Sequence, residues 1–131
     1  MKIFAMTAAL LLAANAFAAD RVQAGLWETK LSAAPSKPMV TKYCITAADA
    51  ALMNGDLPTL RKYLQESTAE KSKGRCSVKS VELKANRTVV TTVCGKVQMV
   101  STTTYFGNRY EATNSNGTTL SGKRLGACPA K

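Results

Sequence analysis

Four cysteines are the residues of this chain whose chemistry the sequence specifies best: Cys44, Cys76, Cys94 and Cys128. They contain no Cys-x-x-Cys motif, and the chain has no histidine, so neither a thioredoxin-like redox site nor a zinc knuckle is indicated. Cysteines of this kind in an exported chain ordinarily form structural disulfides. We therefore expect two disulfides, no metal site and no cofactor.

The expected strands favour one pairing of these cysteines. If the strands around Cys76 and Cys94 form an antiparallel hairpin, the two residues end nearly opposite each other, with Cβ atoms roughly 5 Å apart. Cys44 then pairs with Cys128 and ties the second strand to the C-terminus. Four cysteines allow three pairings, and the sequence alone does not choose among them.

Residue types that could carry catalysis are few. The absence of histidine removes Ser-His-Asp and Cys-His mechanisms, so an enzyme would depend on carboxylates, lysine or tyrosine. Glu28, Glu82 and Glu111 fall in predicted strands without an obvious partner carboxylate. We assign no catalytic residue, and a small carboxylate-based or tyrosine-based hydrolase or isomerase stays the alternative to a non-enzymatic protein.

The start of the chain has the composition of a cleavable export signal. Lys2 precedes an apolar run, and a small-x-small pattern ends at Ala18. Cleavage between Ala18 and Ala19 would remove residues 1–18 and leave 19–131 as a single disulfide-containing domain. No second apolar run of about 20 residues follows, so we expect no transmembrane helix in the mature chain.

The charge is strongly positive, with 18 Lys and Arg against 8 Asp and Glu and a net charge of +10. Such an excess attracts anionic partners over a Debye length of roughly 8 Å at physiological salt. The expected partner is an envelope component, an anionic lipid or a periplasmic protein, and nucleic acid is not favoured. The densest basic stretch comprises Arg61, Lys62, Lys71, Lys73 and Arg75. It either binds such a partner or is simply a solvated helix face and loop.

Alternating apolar residues and turn signals place these groups on a series of strands. Strands are predicted over 25–31, 39–45, 76–83, 88–94, 97–106, 109–113 and 118–125. Thr46 predicts the N-cap of a short helix, and a second helix begins after Asp56. Residues 67–74 are polar and charged, and we predict an exposed loop there.

These elements predict a β-rich α+β fold in which a curved antiparallel sheet, built as a β-meander, carries one or two short helices and two disulfides. The pattern leaves open whether the sheet closes into a partial barrel. Trp27 is predicted in the core. Tyr105 and Tyr110 face each other across the turn at Gly107 and Asn108, as a packing pair or as an exposed aromatic patch.

Three short segments give the chain a family resemblance: Gly25-Leu26-Trp27-Glu28, Tyr43-Cys44-Ile45-Thr46 and Arg124-Leu125-Gly126-Ala127-Cys128-Pro129. With the export signal, they resemble the small exported proteobacterial proteins of the domain of unknown function 3617 family. The resemblance implies a periplasmic location and supplies neither an activity nor functional residues. The function we expect is a non-enzymatic binding or accessory module for an envelope component or an anionic partner.

Overall fold

The computed structural model describes residues 20–130. The expected export signal, with its cleavage site at Ala18 and Ala19, lies outside these residues. The described part of the chain forms seven strands and two helices in the order β1 Gly25–Ser32, β2 Met39–Ile45, α1 Ala47–Met53, α2 Leu57–Ser72, β3 Cys76–Lys84, β4 Arg87–Cys94, β5 Val97–Tyr105, β6 Arg109–Asn114 and β7 Thr119–Gly126.

All seven strands belong to one antiparallel sheet with the order β2-β1-β7-β6-β5-β4-β3. From β3 to β7 every strand pairs with its successor, as in a β-meander, and β1 then pairs with both β7 and β2. The sheet is open, with β2 and β3 as its two edge strands. The expected β-rich α+β fold is therefore confirmed, and the question of closure is answered by an open sheet.

Both helices lie between the two edge strands in sequence, and each begins at a side-chain cap. The Thr46 hydroxyl accepts a hydrogen bond from the Asp49 amide at 3.1 Å. The Asp56 carboxylate accepts one from the Thr59 amide at 3.0 Å. Hydrogen bonding with the Thr59 side chain and with this amide lowers the pKa of Asp56. These bonds satisfy amides that have no partner inside the helix, so both starts follow from local sequence.

The loop predicted over residues 67–74 is wrong, because α2 continues through Ser72. Ala69, Glu70 and Lys71 in this stretch have good helix propensity, and the polarity of the stretch suits the exposed side of a helix. The helix ends where Lys73 adopts a left-handed conformation with φ of 54°. The Gly74 amide then donates to the Ala69 carbonyl at 2.8 Å, as in a Schellman-type end.

The core consists of two apolar clusters on the helix-bearing face of the sheet. The first surrounds the fully buried Trp27 and includes Val22, Ile45, Ala50 and Tyr110. The second packs Leu60 of α2 against Val78 and Val81 of β3. As a result α2 is fixed over one edge of the sheet, while α1 lies near the other edge at the end of β2.

Two disulfides fasten the ends of this arrangement, and they are the pairs that the strand register favours. Cys76 and Cys94 are directly opposite residues of β3 and β4. Cys44 of β2 bonds to Cys128 beyond β7. The second disulfide joins the edge strand β2 to the C-terminal segment across 84 residues of chain.

The first and last of the three segments that carry the family resemblance are neighbours in the sheet. Trp27 pairs with Arg124, and Leu26 pairs with Gly126. The Arg124 Nε donates to the Ala24 carbonyl at 2.8 Å. A Cβ atom at Gly25 would collide with the Gly126 carbonyl oxygen, so a glycine at this position lets the two segments approach closely.

Candidate functional site

A groove of about 640 Å³ lies between the edge strand β2 and the two helices. We call it the edge groove. Its volume falls in the range of ligand sites in proteins, about 300–1,000 Å³. Its lining comes from β2 (Tyr43, Cys44, Ile45), from α1 (Asp49, Leu52, Met53) and from α2 (Tyr63, Leu64, Glu66, Ser67, Glu70, Lys71).

Helical periodicity explains why α2 supplies so much of this lining. Tyr63, Glu66 and Glu70 are three and four residues apart, so they lie on one face of the helix. Leu60, on an adjacent part of the surface, anchors α2 to β3. The helix therefore packs on one edge of the sheet and turns a second, partly polar face toward the opposite edge.

Apolar side chains are exposed at and near this groove. Leu52 is 41% exposed and Tyr43 is 37% exposed. On the same strand, Met39 and Val40 are 61% and 55% exposed. Four of the seven large hydrophobic residues found exposed in the described chain therefore lie on β2 and α1. Of these four, Tyr43 and Leu52 line the groove itself, where an apolar ligand would bury them.

All four tyrosines of the chain lie on the helix-bearing side of the sheet, close to the groove. The Tyr110 hydroxyl shares hydrogen bonds with Thr29 at 2.9 Å and with Tyr43 at 3.0 Å. Tyr105 lies opposite Tyr110 with ring centroids 6.1 Å apart, so this pair packs inward and is not an exposed patch. A chain of contacts thus connects the core at Tyr110 with the groove wall at Tyr43.

The surroundings of Tyr110, Tyr105 and Tyr63 favour the neutral phenol. Burial raises the pKa of Tyr110 well above its ordinary value, and burial likewise raises the pKa of Tyr105. For Tyr63, burial raises the pKa and the carboxylate of Asp49 raises it further. Tyr63 therefore offers the groove a neutral hydroxyl and an aromatic surface rather than a phenolate base.

The charge of the edge groove opposes that of the chain. Asp49, Glu66 and Glu70 line it, so three of the eight acidic residues of the chain meet at one site. Lys71 is the one basic residue in the lining, and Lys62 forms an exposed ion pair with Glu66 at 3.9 Å. Such exposed pairs are weak, so the groove keeps an acidic rim on a protein of net charge +10.

The position of α1 beside the groove is fixed by polar contacts with the segment before β1. The Asn54 side chain accepts from the Val22 amide at 3.0 Å and donates to the Val22 carbonyl at 2.7 Å. The Arg21 guanidinium donates to the carbonyls of Met53 and Gly55 at 2.8 and 2.6 Å. These bonds satisfy the C-terminal end of α1 and hold its Leu52 side at the groove.

The structure distributes the basic residues singled out in the sequence over several surfaces. Arg61 and Lys71 are ten residues apart on α2, or about 15 Å at the rise of a helix. Lys71 belongs to the acidic edge groove. Lys73 and Arg75 follow the helix at its exposed C-terminal turn, and Lys62 is paired with Glu66. The five side chains therefore do not form one compact patch.

The three glutamates considered for catalysis are also divided. Glu28 and Glu111 line a shallow depression of about 260 Å³ on the outer face of the sheet. Lys123 lies 3.7 Å from Glu28, and Arg109 lies 3.2 Å from Glu111. Glu82 is on β3, with β4 and β5 between it and the strand of Glu111. No pair of these carboxylates faces a shared enclosed cavity within residues 20–130.

No group of three or more histidine, cysteine, aspartate or glutamate side chains in residues 20–130 is placed to hold a metal ion. In the same part of the chain, no helix has both the length and the apolar composition needed to cross a membrane.

The acidic and aromatic residues of the groove were missed by the sequence reasoning. The incorrect loop over 67–74 contains Glu70, and it hid the fact that Glu70 shares a helical face with Tyr63 and Glu66. The spacing of three and then four residues was the available signal. The contribution of Tyr43 depends on the arrangement of β2 and α2 in space, which no local pattern reports.

Comparison with known proteins gives one match. A family model described as "Protein of unknown function (DUF3617)" matches residues 22–128. No match was found among the curated proteins or among the solved structures. Since the family match covers most of the sequence, the chain belongs to the DUF3617 family.

Proposed function

We propose that this member of the DUF3617 family is an exported, periplasmic binding module of proteobacterial origin that holds its ligand in the edge groove. The observation that carries the proposal is the groove itself, where exposed apolar side chains such as Leu52 are surrounded by aromatic and acidic groups between β2 and α2. An apolar site with a few convergent polar groups is the usual form of a binding site.

Export of the protein is supported by two independent features. The start of the sequence has the charged, apolar and small-residue regions of a secretory signal ending at Ala18. The two disulfides suit an oxidising compartment such as the periplasm. We propose that residues 19–131 form the mature single domain, and that its positive charge favours contact with anionic envelope components.

A binding role without catalysis is supported by the residues at the site. The chain has no histidine, and the three groove carboxylates stand on an open rim rather than in a closed cavity. General acid and base groups normally have their protonation tuned by burial or by close partners. The groove is better suited to hold a ligand by apolar contact and charge than to transform it.

A site-specific photo-crosslinking experiment in the organism that encodes the protein tests this proposal. A photoreactive amino acid replaces Leu52 in the groove or, as the matched control, Thr113 on the outer face of the sheet. We expect a defined adduct from the Leu52 position, identified by mass spectrometry, and none of the same mass from Thr113. Equal labelling at the two positions, or no adduct at Leu52, would contradict the proposal.

A further inference from the structure

The free edge of β2 is a long strand with little protection against pairing. Within residues 20–130, the seven residues of Met39–Ile45 have only β1 as a neighbour in the sheet. The strand contains no proline, its pairing with β1 has no register shift, and Lys42 is its single charged residue. Natural proteins usually protect such edges with prolines, bulges or charges, because an open edge can pair with another chain.

The opposite edge of the sheet differs in each respect. The pairing of β3 is interrupted by an irregularity between Val78 and Ser80. The strand carries charged residues at Lys79, Glu82 and Lys84, and α2 packs against it. This contrast indicates that exposure of the β2 edge is a specific feature of the fold and not a general property of its edges.

The alternation of hydrogen bonds across the sheet identifies the free main-chain groups of β2. The Arg124 amide donates to the Asn108 carbonyl at 2.8 Å, so the amides of this register in β7 point toward β6. Trp27 of β1 lies opposite Arg124, so the main-chain N–H and C=O of Trp27 point toward β2. There they bond to Tyr43, whose own main-chain groups therefore point toward β1. Because bonding alternates along a strand, the N–H and C=O groups that point away from the sheet belong to Val40, Lys42 and Cys44.

We propose that an extended peptide segment with Lys or Arg at every second position binds the protein by pairing with β2 as an eighth strand. This inference rests on the proposed function, because the added strand would enter the edge groove at the end of β2, where Tyr43, Cys44 and Ile45 line it. An added strand gains affinity from main-chain hydrogen bonds, and pockets for its alternate side chains give specificity. Here the open gap between β2 and α2 supplies both the main-chain edge and the pocket.

The groove chemistry selects the basic side chains. The side chains of the added strand that point toward the helices would enter the groove beside Tyr43, Cys44 and Ile45. There Leu52 and Tyr63 form an apolar surface, and Glu66 and Glu70 form the rim. Lysine and arginine suit this arrangement, because their aliphatic stems cover apolar surface while their charged ends reach carboxylates. The remaining residues of the peptide would face solvent and need only favour an extended conformation.

A second copy of this chain is a less suitable occupant of the same edge. Each copy has a net charge of +10, so two copies repel each other at low ionic strength. Pairing of β2 with β2 would also bring two Lys42 side chains to one interface. A separate basic peptide, in contrast, would meet the acidic rim of the groove.

The test uses a synthetic peptide, acetyl-Lys-Thr-Lys-Thr-Lys-Thr-amide, and the oxidised wild-type protein. Amide hydrogen exchange in the presence of saturating peptide should slow at Val40, Lys42 and Cys44 by about tenfold or more, because free amides become hydrogen-bonded. The same peptide with Glu in place of Lys should give no protection. Protection elsewhere on the sheet without protection of β2 would overturn the inference.

Two substitutions at one position separate edge pairing from charge. Lys42→Pro removes a main-chain donor at the free edge, where proline is tolerated, and should weaken peptide binding about tenfold. Lys42→Ala keeps the donor and removes a positive charge, so it should bind the peptide at least as well as wild type. Equal affinity of the two variants, with their folds verified by circular dichroism, would overturn strand pairing.

The charge of the groove supplies a further arm of the test. Replacing Glu66 and Glu70 together by glutamine should weaken peptide binding about five- to tenfold, with a smaller dependence on salt. A crosslinked adduct at Leu52 in cells, together with no peptide protection of β2, would overturn the peptide inference and leave the proposed function standing. Protection of β2 that depends on protein concentration and not on peptide would show pairing between copies and also overturn it.

Discussion

Gly122 is the position where the fold predicts the largest effect from the smallest substitution. It lies on β7 directly opposite Tyr110 of β6, and its backbone conformation is not in the left-handed region. A Cβ atom at this position would collide with the Tyr110 ring. The Gly122→Ala change should therefore destabilise the protein by steric conflict alone, in a strand where alanine would otherwise be favoured over glycine.

The expected loss of stability is the sum of the steric cost at the Tyr110 ring and of the contacts that the ring loses when it is displaced. Overpacking of a filled core costs about 1–3 kcal/mol. Displacement of the ring would also break the hydroxyl contacts with Thr29 and Tyr43, each worth about 0.5–1.5 kcal/mol. We expect Gly122→Ala to lower the free energy of unfolding by about 3 kcal/mol, a large share of the 5–15 kcal/mol that is typical of a domain.

Urea unfolding measures this loss, with Trp27 as an intrinsic probe. Trp27 is the only tryptophan of the chain and stacks on Tyr110 with ring centroids 5.7 Å apart. Far-ultraviolet circular dichroism provides a second signal for the same transition. The exposed neighbour Ser121 supplies the control, since Ser121→Ala should change the free energy by less than about 0.5 kcal/mol.

A double-mutant cycle decides whether the ring is the cause. In a Tyr110→Val background the ring is absent, so Gly122→Ala should cost nothing or stabilise by up to about 1 kcal/mol. The coupling energy between the two positions is then about 3 kcal/mol. An equal cost of Gly122→Ala in both backgrounds, or a cost below about 0.5 kcal/mol in the wild type, would refute this reasoning.

Three further predictions concern the disulfides, the anchor of α1 and the tyrosines. Replacing Cys76 and Cys94, which close a loop of 18 residues, by serine should lower the free energy of unfolding in urea by about 3 kcal/mol. Replacing Cys44 and Cys128, which close a loop of 84 residues, should lower it by about 4.5 kcal/mol, and the reverse order would contradict the loop-entropy explanation. Asn54→Ala should cost about 1–3 kcal/mol because it leaves the Val22 main-chain groups without partners; a loss below about 0.5 would show that water replaces them. Burial raises the pKa of Tyr110, so the unfolded state loses the phenolic proton at lower pH than the folded state. The free energy of unfolding should therefore fall as pH rises above 10, and it should fall less steeply in Tyr110→Phe. An unchanged slope in that variant would contradict a buried, neutral Tyr110.

Much of the fold could be predicted because its signals are local. The strand over Met39–Ile45 has the bounds that alternation and flanking breakers indicate. The two helices begin at Thr46 and Asp56 because each of these side chains accepts a hydrogen bond from the amide three residues later. The opposition of Cys76 and Cys94 follows from hairpin register, which a short turn sets.

The edge groove could not be predicted, because it depends on where distant elements meet. Whether β2 forms an edge or an interior strand is decided by the pairing of β1 with β7, across about 90 residues of sequence. The end of α2 was misjudged, because a polar sequence fits an exposed helix as well as a loop. Once α2 extends to Ser72, Glu66 and Glu70 come to face the edge strand.

The most direct test of a binding role in the edge groove is native mass spectrometry of the protein purified, without reducing agent, from the envelope of its own organism. The proposed function predicts a chain that begins at Ala19, lacks four hydrogens because of two disulfides, and carries a noncovalently bound mass. That bound mass should be absent from the Leu52→Arg variant, in which the arginine fills the groove. It should be retained in the control variant Val97→Arg, because Val97 is 67% exposed and lies outside the groove lining. A chain that keeps residues 1–18 would contradict cleavage of the export signal after Ala18. A wild-type protein without a bound mass, or one that loses it equally in both variants, would contradict a ligand site in the edge groove.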